Sequence, residues 1–281
     1  MDILSSSREL ALWKAAHARC AFVPTMGNLH AGHVSLVDKA RLTGLPVIAS
    51  IFVNPLQFGA GEDFERYPRT FEQDCKQLKA AGCHAVFAPS VEDLYPLPQA
   101  YFVEPPALAN ELCGQYRPGH FRGMLTVVLK LFNLVQPAVA AFGKKDYQQL
   151  ALIRGMTAQM NLPIEILAGE TTRAEDGLAL SSRNGYLSAL ERKEAPRLYH
   201  CLKQIADALA SGRTDYEELE TQALGTLYQH NWKVDYVSIR RSDLASPINE
   251  GSGFVILGAA HLGNTRLIDN VEVTTIKATA K

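Results

Sequence analysis

The sequence predicts an α/β protein, in which a parallel sheet with helices on both faces is followed by a smaller α+β domain. Three observations carry this. Short apolar runs alternate with helix-period segments through the first two-thirds of the chain. One such run, residues 46–52 (PVIASIF), has no polar alternation, which suits a strand buried on both faces. After about residue 171 the texture changes to helical stretches followed by strand-like runs.

Residues 5–18 read as a helix, with serines available to cap it and Leu10, Trp13 and Ala16 in phase. Residues 20–23 form a short apolar strand that ends at Pro24. Helical spacing then runs through Val34, Val37 and Arg41, and Gly44 is placed to end that helix in a left-handed cap. Thr70 opens a helix that Gly82 closes, and residues 84–88 supply a strand. An apolar helix over 123–135 starts at Gly123 and is ended by Pro137; a strand (138–142), a helix (147–160) and a strand (163–168) follow. Strands alternating with helices imply right-handed crossovers, hence a Rossmann-like domain over residues 1–171. Residues 172–281 show helical stretches at 189–210 and 216–229 and strands at 234–239, 254–260 and 265–269. Gly251, Gly253, Gly258 and Gly263 punctuate this part, and an antiparallel sheet is expected. There is no internal repeat and no low-complexity linker.

Net charge is −1, so the basic excess of a generic nucleic-acid surface is missing. The five cysteines are scattered without a CxxC pair, which argues against a zinc knuckle or dithiol redox motif and for reduced thiols. The N-terminal residues lack the pattern of a signal peptide, and no apolar run is long enough to cross a bilayer. A cytoplasmic protein is expected.

The most informative segment is FVPTMGNLHAGHVSLV, residues 22–37. A buried strand meets a tight loop at Gly27, and a helix starts near Gly32. Amides at a helix start lack intrahelical partners, and with the dipole they favour an anion. His30 and His33, three apart, can face the same way, and Gly32 leaves no side chain against an approaching phosphate. Donors aimed at a triphosphate lower the barrier to displacing pyrophosphate, and an imidazolium can give the leaving group a proton. Zinc is set aside, since a zincin helix needs histidines four apart with Glu after the first.

Asn54, Pro55 and Gln57 follow a buried strand, at the edge where open α/β sheets bind ligands. Their amides suit a substrate with hydroxyls and a carboxylate, and equally an Asn-Pro turn with a solvent-facing Gln. Glu62, Asp63, Glu65, Arg66 and Arg69 read as a solvated loop. Arg117 and His120, before the Gly123 helix, suit an anion or a capping turn. In GKKDYQQ, Gly143 allows close backbone approach and Lys145 is a point charge for phosphate oxygens, while Asp146 caps the helix or accepts from a ribose. Leu180, Ser181, Ser182, Arg183 and Asn184 offer hydroxyls and a guanidinium. Asp74 and Gln77, on one helix, suit outer ligands of a metal or an exposed face.

PTMGxLHxGH is similar to the HIGH-type signature of the nucleotidylyltransferase superfamily, which includes class I aminoacyl-tRNA synthetases. In this longer form, with FVNPxQF and the later motifs in order, the chain resembles the pantothenate synthetase family. The resemblance is strong over about residues 21–187 and general beyond. It implies a ligase that condenses pantoate with β-alanine at the expense of ATP, through a pantoyl adenylate, with Mg²⁺ on the triphosphate, and a homodimer. It assigns Met26, Gly27, Asn28, Leu29, His30, Ala31, Gly32 and His33 to ATP, with His33 as proton donor. Gly143, Lys144, Lys145, Asp146, Thr172, Leu180, Ser181, Ser182 and Arg183 are likewise assigned to ATP. Gln57 and Gln149 go to pantoate, and His30, Asn54, His120 and Lys145 to binding or catalysis. The segment at 180–183 resembles a mobile phosphate clamp, and residues 172–281 a lid domain. One departure is Lys144, where the family usually has Glu. The alternatives are a nucleotidyltransferase acting on a phosphorylated alcohol, a nucleotide sensor without turnover, and an RNA-binding relative of the synthetases.

Overall fold

A computed structural model describes residues 1–248 and 253–274, so Gly251 lies outside the described residues. The chain opens on a short strand that the hydrophobic pattern does not announce, β1 (Asp2–Leu4). Ser6 then caps α1 (Ser7–Ala16) by accepting the Glu9 N–H. There follow β2 (Ala21–Thr25), α2 (Ala31–Arg41), β3 (Val47–Ile51), α3 (Phe71–Ala80) and β4 (Ala85–Phe87). After two single-turn helices, α4 (Val91–Leu94) and α5 (Cys113–Tyr116), come α6 (His120–Val135), β5 (Val139–Gly143), α7 (Tyr147–Gln159) and β6 (Glu165–Gly169).

The six strands form one parallel sheet in the order β1-β4-β3-β2-β5-β6. From β2 the chain steps outward through β3 and β4, then returns to fill the other side with β5 and β6. Such a reversal leaves a crevice at the C-terminal strand ends, where open α/β sheets bind ligands. Here the crevice has a visible cause. All five residues of β2 pair with β3, but only Ala21 and Phe22 pair with β5. Pro24 lies within β2, one residue short of its end at Thr25. The Thr25 carbonyl accepts from Phe52 on the β3 side, so Pro24 turns its proton-less nitrogen toward β5, where the ladder has already stopped.

Side chains of β2 alternate between two cores. Phe22 packs with Ile48, Phe87 and Phe142 beneath Leu10 and Trp13 of α1, Leu125 and Phe132 of α6, and Ile153 of α7. Ala21 and Val23 join Val47, Ala49 and Val86 against Leu36, Val37 and Ala40 of α2 and Leu78 of α3. Each fully buried large side chain contributes about 1.5–3 kcal/mol.

The sequence places the start of the 123–135 helix three residues late. Gly119 takes φ +80°, the left-handed turn that lets the helix begin at His120. Gly123 serves a different purpose. A Cβ there would lie 1.9 Å from the Leu56 carbonyl oxygen, so only glycine admits the neighbouring 55–57 turn.

Packing separates Met1–Lys144 with Gln149–Thr172 from Lys145–Gln148 with the chain from Arg173 onward. The second unit has its own core. The expected 189–210 helix is in fact two, α8 (Ala189–Glu194) and α9 (Arg197–Ala210), parted at Pro196, which has no N–H to continue the ladder. After α10 (Tyr216–Gln229) come β7 (Lys233–Arg241), β8 (Gly253–Leu262) and β9 (Thr265–Thr274), an antiparallel sheet in that order. Leu198, Leu202, Leu227, Ile239 and Ile256 fill the space between helices and sheet.

Candidate active site

At the end of β2 the backbone takes two consecutive left-handed residues, Gly27 (φ +82°) and Asn28 (φ +49°). Successive N–H groups in such a turn form a concavity that attracts anions. In this protein the anion is internal. Asp74, 1% exposed, accepts the Asn28 N–H at 3.0 Å with one carboxylate oxygen and the Leu29 N–H at 2.8 Å with the other. Thr70 donates its hydroxyl to both oxygens at 3.1 Å, and Gln77 donates to the Leu29 carbonyl at 3.4 Å. Gly27 gives its N–H to the Thr25 hydroxyl, which in turn donates to the Ser50 carbonyl.

Two expectations change here. Asp74 is neither an exposed helix residue nor free to ligate a metal; it is the clasp that shapes the loop. The loop amides are also not outward-pointing receptors, because the protein supplies their acceptors.

The same holds at the start of α2. His30 is the N-cap, and its Nδ1 accepts the Gly32 N–H at 3.1 Å. His33 Nδ1 accepts the His30 N–H at 3.3 Å, and the two ring centroids stand 4.1 Å apart. Gly32 is needed by the protein itself, since a Cβ would fall 2.9 Å from Cε1 of His30. The space expected for a phosphate beside Gly32 is therefore filled by the His30 ring. Ser35 donates to the Gly32 carbonyl at 2.8 Å and lies 3.4 Å from the Thr172 hydroxyl, which brings Thr172 to this turn.

On the neighbouring strand β5, Gly143 pairs with Gly169 of β6, and no described atom lies within 4 Å of where its Cβ would be. Lys144 forms an ion pair with Glu170 at 2.7 Å, so the residue that departs from the family pattern has its own counter-charge.

Gln57 is buried in a second cluster at the end of β3. Asn54 caps the 55–57 turn by accepting the Leu56 N–H, and also accepts the Tyr95 hydroxyl at 2.8 Å. Its amide N–H groups go to the Gln57 side-chain oxygen (3.1 Å) and the Gly123 carbonyl (3.2 Å). Both donors and both acceptor positions of Asn54 are thus spent inside the protein. Its effect is to orient Gln57, whose amide nitrogen donates to Met26 Sδ at 3.0 Å.

His120 completes the cluster. Nδ1 meets the Gln57 carbonyl at 2.8 Å and Nε2 meets the Arg117 guanidinium at 3.0 Å. A carbonyl can only accept and a guanidinium only donate, so His120 is a neutral Nδ1–H imidazole. Arg117 in turn holds Glu62 through two N–H groups at 2.7 and 2.6 Å. Glu62, expected in a solvated loop, is therefore a partly buried partner. Burial pushes its carboxyl up, but the hydrogen bonds and charge of Arg117 hold it below the usual range. Tyr95, half-buried against Asn54, is pushed well above an ordinary phenol by desolvation.

Gln149 is half-buried on α7. The remaining expected residues belong to the second unit. Lys145 Nζ lies 3.8 Å from Asp146, and the Lys145 carbonyl accepts from Asn270 at 2.9 Å. Ser181 caps a short turn over Ser182–Tyr186 by accepting the Arg183 N–H. Arg173, which sequence reasoning passed over, binds Asp269 through both guanidinium arms at 2.6 and 2.9 Å and stacks on Tyr199 at 4.0 Å. Among the described residues no group of three His, Cys, Asp or Glu is placed to hold a metal ion, and no helix is long and apolar enough to cross a membrane.

Comparison with known proteins gives consistent results. The family model described as pantoate-beta-alanine ligase matches residues 2–272. A pantothenate synthetase of Neisseria meningitidis serogroup C is 57% identical over 275 residues, covering 97% of this chain and 99% of the relative. One from Thiobacillus denitrificans is 56% identical over 276 residues, covering 98% of each. Among solved structures, a pantothenate synthetase from Thermus thermophilus superposes with a TM-score of 0.91 at 43% identity, covering 98% of this chain and 100% of that one. A pantoate-beta-alanine ligase from Francisella tularensis, solved with beta-gamma ATP and beta-alanine, gives 0.80 at 35% identity, covering 96% of this chain and 97% of that one.

Proposed function

The chain belongs to the pantoate-beta-alanine ligase family, and from that premise we propose how its residues perform the ligation. Pantoate attacks ATP to give pantoyl adenylate and pyrophosphate. The amine of β-alanine then attacks the mixed anhydride, giving pantothenate and AMP. The observation that carries this reading is the pair of capped imidazoles at the end of β2, where the strand order reverses and the ladder to β5 opens.

His30 and His33 meet the triphosphate, with Gly143 of the adjacent strand letting the nucleotide lie close to the backbone. Thr172, near the same turn, accompanies them. Gln57, held by Asn54 and by His120 through its own carbonyl, binds pantoate, and Gln149 assists. Lys144, Lys145, Asp146 and residues 180–183 join the ATP set on the family pattern, with Lys145 as point charge and residues 172–281 as the lid domain. Catalysis is positioning plus stabilisation of charge on phosphate oxygens, with no covalent enzyme intermediate.

Mg²⁺ enters as part of the nucleotide substrate. Asp74, the buried carboxylate at the turn, already accepts two amides and a hydroxyl, so a protein cage for the ion does not fit, and the ion is held by phosphates and water. A cytoplasmic homodimer completes the reading. The test is pantoate-dependent exchange between ATP and pyrophosphate, followed by AMP release on adding β-alanine. Exchange with a phosphorylated alcohol instead would favour a nucleotidyltransferase, and no AMP release would sink the ligase.

A further inference from the structure

Lys145 lies in the turn Lys144–Asp146 between β5 and α7, yet it packs with the second unit. A lysine ammonium is a point charge on a flexible stem. Its charge is useful only where its backbone is held, because a misplacement of about 1 Å in a reacting assembly can cost about 100-fold in rate. Asn270 of β9 supplies a hold: its Nδ2 donates to the Lys145 carbonyl at 2.9 Å. We infer that Asn270 is a positioning residue for Lys145, fixing the lysine to the antiparallel sheet of the second unit. That this lysine meets triphosphate oxygens rests on the ligase reading above; the anchor rests on the geometry of the second unit alone.

Asn270 is itself firmly built in. β9 pairs with β8 over its whole length, with Asn270 opposite Leu257, and the residue is 5% exposed. β9 is also an edge strand, so backbone groups on its outer side need partners from elsewhere. The Asn270 N–H donates to the Asp269 carboxylate at 2.8 Å, and the Asn270 carbonyl accepts from Arg173 at 3.0 Å. The same guanidinium grips both Asp269 oxygens and stacks on Tyr199 of α9. Burial pushes the Asp269 carboxyl up, while Arg173 and the Lys145 charge oppose that. Asp269 and Asn270, adjacent on one strand, therefore hold Arg173 and Lys145, the two residues at which the chain enters the second unit.

A second tether lies two residues further on. The Tyr147 hydroxyl is 3.1 Å from the Ser242 carbonyl and 3.2 Å from a Glu272 carboxylate oxygen. Removing the Asn270 amide thus leaves the segment attached but lets the Lys145 peptide shift. Such a change should be felt in the rate and not in the fold.

The test is a double-mutant cycle on the full chain, read as the single-turnover rate of adenylate formation from ATP and pantoate. Asn270→Ala should slow the wild type about 10- to 100-fold. In a Lys145→Ala background it should change the rate less than about twofold. Whatever else Asn270 holds, the part that reaches the rate passes through Lys145. Equal slowing in both backgrounds, or no slowing in the first, overturns the inference. Circular dichroism and a urea midpoint establish that each variant is folded. Should Asn270→Ala not fold, Asn270→Asp, which keeps the shape and loses the donor, goes through the same cycle under the same criteria. Failure of both to fold would make Asn270 a folding residue and overturn the inference as well. Lys145→Ala at the wild-type rate would sink the lysine's place in the ligase reading, and the inference with it. Additive losses would remove Asn270 alone, so the two failures are distinct results.

Discussion

The turn after β2 and the cluster around Gln57 stand at the same edge of one sheet but are built in opposite ways. At the turn, the groups that fix each imidazole come from residues two or three positions away. Around Gln57, the fixing groups come from Met26, Asn54, Arg117 and His120, and are themselves held by Glu62, Tyr95 and Gly123. A locally capped motif should lose chemistry when a side chain is cut without losing its fold. A cluster assembled at long range should lose binding in graded steps.

The sharpest version of that contrast is His33→Ala. It removes one donor and one cap, so adenylate formation should slow about 100- to 1,000-fold, in the range seen for loss of a preorganised donor. Stability should fall only by about the 1 kcal/mol of a lost cap, with the fold kept. Single-turnover rates with ATP and pantoate provide the check, and unchanged rates would remove His33 from the chemistry.

Asp74 qualifies the contrast, because the histidine turn depends on one distant residue. Asp74→Ala leaves two loop amides and the Thr70 hydroxyl without their acceptor, and buried orphans cost about 1–3 kcal/mol each. A loss of roughly 3 kcal/mol in urea unfolding is expected for Ala and less for Asn, which keeps one oxygen. A change within about half a kcal/mol for Ala would mean that the loop holds itself.

Legibility in the sequence follows the same division. The alternation of strands and helices, the loop at Gly27 and the pairing of His30 with His33 are local features, and the chain states them in order. Long-range contacts are not stated. Asp74 reads as an acidic residue in a helix's first turn, and nothing in TFEQDCKQ says that α3 packs against a loop some 45 residues earlier. Glu62 looks solvated because its partner Arg117 is 55 residues away. Two boundary errors have local causes that pattern alone does not separate. Gly119 and Gly123 are both plausible helix starts, but only the left-handed φ of Gly119 makes it the cap. Apolar spacing runs on through Pro196, although the helix does not. β1 is missed because three residues are too few to show a period.

Substrate discrimination should come from the second region. Gln57→Ala removes an amide pre-set by Asn54 while leaving the histidine turn intact. Pantoate should bind about tenfold more weakly, the cost of one ordinary hydrogen bond in a buried site, with ATP affinity nearly unchanged. Calorimetric titration of each ligand distinguishes this from a structural effect, which would weaken both alike.

The smallest effect tests whether the outer clasp of that region works through charge. Glu62 lies below its ordinary carboxyl value in the fold because Arg117 outweighs the burial that opposes it. Protons therefore bind the unfolded chain first as pH falls. Its stabilising contribution is complete above the unfolded value and is lost as pH drops through the folded one. Glu62→Gln keeps the shape and removes the ionisation. The wild type should exceed this variant in urea midpoint at about pH 7, and the gap should start to shrink as pH falls past the ordinary carboxyl value and close only below the lowered folded one. A gap that stays constant across that window would mean that Glu62 holds Arg117 by shape and hydrogen bonding alone. Arg117 would then orient His120 and Gln57 without help from a nearby negative charge.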